Sequence, residues 1–104
     1  MTPRGTILVI EADADMRRIL AAQVRVAGFA TISGPGVPDE PVDLVLLGLP
    51  APPQLAPRQL PDAPLLVLAD EATAEERGRW VAACPRTMVL PRPCPANLLR
   101  GAVE

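Results

Sequence analysis

Short apolar runs alternate along the chain with stretches of helical periodicity. Thr6 to Ile10 (TILVI) is an apolar, β-branched run bounded by Gly5 and by the acidic segment Glu11-Ala12-Asp13-Ala14-Asp15. A strand buried on both faces of a parallel sheet reads this way. Met16, Ile19, Leu20, Val24 and Ala27 then recur at helical spacing, Arg17, Arg18 and Arg25 fall on the other side, and Gly28 supplies a stop. That pattern predicts an amphipathic helix. Phe29 to Ser33, Asp43 to Leu47, Leu65 to Ala69 and Thr87 to Leu90 are four further strand-like runs. Five short strands alternating with helical patterns predict a parallel α/β sheet.

The connections are uneven. Residues 34–42 carry prolines at 35, 38 and 41, too few residues and too many breaks for a crossover helix. Pro50, Pro52, Pro53, Pro57 and Pro61 leave room for a turn or two around Gln54 to Leu60. A fuller helix is predicted from Thr73, three residues before Glu76 at capping-box spacing, through Trp80 to Ala83. Trp80 is expected to face outward, because Gly78 and Val81 are placed on the inward side. A last helix is expected to begin near Pro95 to Asn97.

Composition narrows the function classes. A chain of 104 residues fits one domain, expected over residues 1–104, of a kind that can be cut from a longer multidomain protein. No apolar run reaches the length of a membrane span and no signal-peptide pattern opens the chain, which predicts a cytoplasmic protein with no membrane partner. Cys84 and Cys94, with no histidine, make neither a disulfide framework nor a zinc site. A net charge of −2 and two aromatic residues, Phe29 and Trp80, argue against nucleic acid as a partner. Ser33, the only serine, has neither histidine nor lysine to activate it, so a hydrolase triad is unsupported. The basic side chains are ten arginines and no lysine, and alanine and proline abound, a usage that fits a G/C-rich bacterial genome.

The strand-end residues carry the strongest signal. The first strand ends in Glu11-Ala12-Asp13, the third reads DLVLLGLP over residues 43–50, the fourth reads LLVLA into Ala69, and the fifth reads Val89-Leu90-Pro91-Arg92-Pro93. This pattern resembles the receiver domain of bacterial two-component response regulators over essentially the whole chain. The resemblance implies the flavodoxin-like five-stranded parallel sheet of order 2-1-3-4-5, here with shortened or missing second and third helices. It also implies ligands beyond the carboxyl ends of the strands, and a cis bond between Arg92 and Pro93 like that of receivers keeping this proline.

In that family the first strand ends in magnesium-holding acids, the third in the phosphate-accepting aspartate, the fourth in Ser or Thr, and the fifth in Lys-Pro. Here Ala12 interrupts the acids, Gly48 stands at the acceptor position, Ala69 replaces the hydroxyl and Arg92 replaces the lysine. The resemblance therefore implies a degenerate phosphoacceptor pocket of Glu11, Ala12, Asp13, Gly48, Ala69 and Arg92. It implies no catalytic residue, no metal and no resident cofactor, because phosphoryl transfer needs a nucleophile that Gly48 lacks.

Two functions follow as expectations. The first is a phosphorylation-independent interaction module of two-component signalling, docking on or within a histidine kinase. The second is a sensor of an anionic cyclic dinucleotide such as cyclic di-GMP. Residues 1–76 hold eleven acids against five arginines, whereas residues 77–104 hold five arginines against Glu104. That separation marks Arg77, Arg79, Trp80, Arg86, Arg92 and Arg100 as a candidate partner or ligand face, since guanidinium groups grip phosphate and stack on bases.

Overall fold

The computed structural model describes residues 4–34, 37, 39–92 and 96–103. Among them, β1 (Thr6–Ile10), β2 (Ala30–Gly34), β3 (Leu44–Gly48), β4 (Leu65–Ala69) and β5 (Thr87–Pro91) form one parallel sheet of order β2-β1-β3-β4-β5. The helices are α1 (Ala14–Val26), α2 (Ala74–Ala83) and α3 (Ala96–Val103). Between β2 and β3 no helix occurs among the described residues, and between β3 and β4 there is only the 3-10 turn Pro57–Gln59. The prolines of both connections deny the backbone donors and the φ/ψ freedom a helix needs.

The runs of β1, β3 and β4 are buried on both faces, so alternate residues serve two cores. Ile7, Val9, Leu46, Leu66 and Leu68 pack against Leu20 and Val24 of α1 and Leu99 of α3. Leu8, Ile10, Val45, Leu47, Leu65 and Val67 pack on the other side against Trp80 of α2. Asp13 caps α1, its Oδ1 accepting from the backbone N–H of Asp15 at 2.8 Å and of Met16 at 3.1 Å, as N-cap carboxylates do. Gly28 ends the helix at φ +99°, a left-handed conformation that glycine adopts without strain.

Two expectations on the second half are corrected. Trp80 is buried, 4% exposed, while Val81 is exposed and Gly78 faces open space. The helix AEERGRWVAA has few apolar residues, and its indole is the side chain with most apolar area to remove from water, so it sets the phase. The expected Thr73–Glu76 capping box is also absent. Asp70 is the cap instead: its Oδ1 accepts from Thr73 N–H at 3.1 Å and Thr73 Oγ1 accepts from Asp70 N–H at 3.0 Å, fixing the 3-10 turn Glu71–Thr73 ahead of α2. Glu76 is thereby free for another task. Its Oε2 accepts from Ala51 N–H at 3.0 Å and Trp80 Nε1–H at 3.3 Å, tying the segment after β3 to α2.

Candidate functional site

Register brings the singled-out strand ends together at the carboxyl edge of the sheet. Ile10 pairs with Leu47 and Gly48 with Leu68, so Glu11 lies beside Gly48 one step beyond the β1–β3 ladder. Ala69 pairs with Pro91, and Arg92 continues that ladder with its N–H donating to Ala69 O at 3.0 Å. Sequence positions 81 residues apart thereby meet: Arg92 Nη2–H donates to Glu11 Oε1 in an ion pair. The Glu11 side chain is enclosed and that of Arg92 partly exposed, 2% against 20%.

Gly48 makes room for this pair. A Cβ at residue 48 would stand 2.5 Å from Arg92 Nη1 and 2.6 Å from Glu11 Oε2, closer than carbon atoms tolerate. Arg17, placed by its helical phase on the solvated side of α1, also takes part, because its Nη1–H donates to the Glu11 carbonyl at 2.9 Å. An arginine six residues beyond a strand-end acid is the only trace of this contact in the sequence.

The other pocket residues complete the picture. Asp13 is spent on the α1 cap, Ala12 is exposed without a polar side chain, and Ala69 is buried without a hydroxyl. A magnesium ion does not fit this set. The Glu11 carboxylate is committed to Arg92, Asp13 to backbone N–H groups, and residue 48 has no oxygen to offer a hard cation. Among the described residues no group of three or more His, Cys, Asp or Glu side chains could hold a metal.

The predicted arginine face is gathered only in part, Arg77 with Arg92, while Arg79, Arg86 and Arg100 lie apart from them. Arg86 Nη2 lies 2.9 Å from Asp62 Oδ1 before β5 begins, and Arg92 follows its end. Six residues of extended chain separate them by about 20 Å. Arg79 Nη1 lies 3.7 Å from Glu75 on α2, and Arg100 is exposed on α3. Arg77 and Arg92 both line a groove of about 550 Å³ at the ends of β4 and β5, together with Asp70 and Glu71, whose charges oppose an anion there. Trp80, being buried, offers no stacking face. The Arg92–Pro93 bond lies outside the described residues.

No family model matches the chain, and no curated protein matches it. Solved structures do. Full-length FixJ from B. japonicum superposes with a TM-score of 0.78 at 19% identity, over 98% of this chain and 59% of that one. The chain thus spans a little over half of FixJ. A response regulator receiver protein from Burkholderia phymatum gives 0.77 at 21% identity, covering 96% of this chain and 92% of its own. The receiver domain of a Pseudomonas aeruginosa sensor histidine kinase, solved with magnesium in its active-site cleft, gives 0.77 at 16% identity, covering 95% and 93%. Strand order, register and these superpositions agree that the chain has the fold of a response-regulator receiver domain.

Proposed function

We propose that this chain is a phosphorylation-independent interaction module of two-component signalling that docks on, or within, a histidine kinase. One observation carries the reading: the Arg92–Glu11 pair occupies the space of the missing side chain at Gly48. A receiver signals by changing the charge at this position. Here the charges of Glu11 and Arg92 are already matched within the fold and Gly48 offers no nucleophile to modify, so the surface the domain presents does not depend on phosphorylation. Partner recognition then depends on shape and surface charge. The domain is proposed as one unit of a longer signalling protein, in keeping with its coverage of FixJ.

Incubation with acetyl phosphate and magnesium, followed by intact mass, tests the first half of this proposal. No added phosphate is expected, and a phosphoryl group mapped to the segment after β3 would overturn it. The second half is tested by adding the domain to autophosphorylation assays of the histidine kinases of its own organism. An altered rate, equal for treated and untreated domain, is expected with at least one kinase; no effect on any would refute kinase docking. The sensor reading loses support from the separation of Arg79, Arg86 and Arg100 and from the acids Asp70 and Glu71 beside Arg77 and Arg92. Saturable resonance shifts on titration with cyclic di-GMP, abolished by Arg→Ala changes at Arg79, Arg86, Arg92 or Arg100, would restore it in place of docking.

A further inference from the structure

Among the described residues β5 is the last strand of the sheet, hydrogen-bonded to β4 on one side and to no strand on the other. Its Met88 and Val89 are exposed, 53% and 37%, on opposite faces because successive side chains of a strand alternate. Thr87 to Leu90 carries no charge. An uncharged apolar strand at a sheet edge is a template for pairing with another chain. The direction of its backbone groups follows from the ladder. Leu65 N–H donates to Arg86 O at 2.8 Å and Arg92 N–H donates to Ala69 O at 3.0 Å, with Leu65 to Ala69 in parallel register with Thr87 to Pro91. Alternate residues of such a ladder turn their backbone groups to the same neighbour. Met88 and Leu90, in phase with Arg86 and Arg92, therefore bond to β4, while Thr87, Val89 and Pro91 turn to the open side. Proline has no N–H. The donor that Pro91 lacks is one the sheet does not use, and the open edge keeps donors at Thr87 and Val89.

We infer that Pro91 guards the β5 edge against pairing with a second copy of this chain. Two antiparallel registers cover the exposed Met88 and Val89, and each runs into proline. Pairing centred on Val89 sets Thr87 of each copy against Pro91 of the other, so the Thr87 carbonyl finds no donor. A polar group enclosed in that way costs more than its partner bond returns. Pairing centred on Met88 sets Pro91 against Pro85 of the other copy, and the ladder stops after Thr87 and Val89. So short a pair of strands does not hold by itself. The guard costs the fold nothing, because the position it occupies faces away from β4. This inference does not rest on the reading of the Glu11, Gly48 and Arg92 site, since neither the ion pair nor the glycine enters it.

Sedimentation and amide hydrogen exchange of the wild-type domain and of a Pro91→Val variant test it. Pro91 is exposed, which leaves room for valine, a residue that restores the N–H and favours strands. The wild-type domain is expected to sediment as a monomer. Pro91→Val is expected to form a concentration-dependent dimer, in which the Thr87 and Val89 amides exchange about tenfold more slowly than in the diluted variant, the factor that one net hydrogen bond is worth. Adding Met88→Lys to Pro91→Val places a charge on the edge and is expected to restore the monomer. Should valine disturb the fold, Pro91→Ala, which supplies the same N–H, takes its place in every comparison. A natively folded variant that stays monomeric, a dimer that leaves the Thr87 and Val89 amides unprotected, or pairing of the wild-type domain through this edge would each overturn the inference. Phosphorylation and kinase assays are untouched by these outcomes, so the two proposals fail separately.

Discussion

The Arg92 guanidinium stands where a side chain at Gly48 would begin: its Nη1 lies 2.5 Å from the Cβ position of that glycine. Glu11 Oε2 lies 2.6 Å from the same point. Gly48, which brings no side chain to the end of β3, is therefore also the residue that lets the ion pair close. An arginine at the end of β5, an acid at the end of β1 and a glycine at the end of β3 form one sterically coupled unit.

Gly48→Ala should destabilise the domain by about 1–3 kcal/mol, the range for overpacking an enclosed site. This reverses the sign expected at an unobstructed strand position, where replacing glycine with alanine is favourable by about 0.5–1 kcal/mol. Both obstructing atoms are side-chain ends. In a Glu11→Ala/Arg92→Ala background the same change should accordingly cost little. Urea unfolding of all four proteins measures the coupling, and additive effects would show that the glycine and the pair are independent.

The pair itself should respond unequally to loss of its members. Arg92→Met leaves the enclosed Glu11 carboxylate without its cation and should cost about 3–5 kcal/mol, as breaking a buried pair does. Glu11→Gln leaves an arginine whose side chain is partly exposed, 20% against 2% for its partner, and should cost distinctly less. Equal losses in denaturant midpoint at constant slope would contradict this ordering.

Most of the fold was legible because burial is written into the strands. Leu65–Ala69 was read to the residue, since its two-sided burial leaves an uninterrupted apolar run. β3 was read one residue early: Asp43 looks like its start, yet its Oδ2 accepts from Thr6 N–H at 2.7 Å and the ladder runs on to Gly48. The helical phase of α2 was misread, because a segment of Glu, Arg, Gly and Ala has no continuous apolar stripe to orient Trp80. The resemblance singled out the strand-end residues, and the structure brings Glu11, Gly48, Ala69 and Arg92 to one edge of the sheet. The ion pair was not legible in the sequence, for two reasons. It joins residues 81 apart, and the space that permits it is a property of an absent side chain.

Trp80 should behave as a core residue. Trp80→Ala should cost about 3–5 kcal/mol, the range for large aromatic truncations. Trp80→Phe keeps most of the ring but strands the hydrogen bond to Glu76, and should cost less, about 1–3 kcal/mol. Thermal unfolding followed by far-ultraviolet circular dichroism distinguishes these cases. A near-neutral Trp80→Ala would return the indole to the surface.

Removal of the cap before α2 should act locally. Asp70→Ala loses the bond to Thr73 N–H and should cost about 0.5–2 kcal/mol, whereas Thr73→Glu retains a side-chain acceptor for Asp70 N–H and should cost less. Hydrogen exchange should quicken in the Asp70 variant at residues 71–76 and remain slow in β1 and β3. Exchange quickening throughout the sheet would mean that α2 and the sheet unfold together.

Burial pushes the Cys84 thiol above its ordinary value of 9.0, because desolvation disfavours the thiolate. The sign for stability follows by linkage. In the unfolded chain this thiol ionises near its ordinary value while the folded thiol still holds its proton, so its contribution is fully present below about pH 9 and is lost as pH rises through the folded value. Since the thiolate is the reactive form, alkylation should also be slow at neutral pH. In a Cys94→Ser variant, which leaves Cys84 as the one thiol, the rate of iodoacetamide modification followed by intact mass should rise with pH to a midpoint above that of the same variant unfolded in urea. The folded and unfolded curves must be separated in that direction. Coincident midpoints would show that the thiol is as well solvated in the fold as in the free chain, and a lower folded midpoint would require a cation beside Cys84.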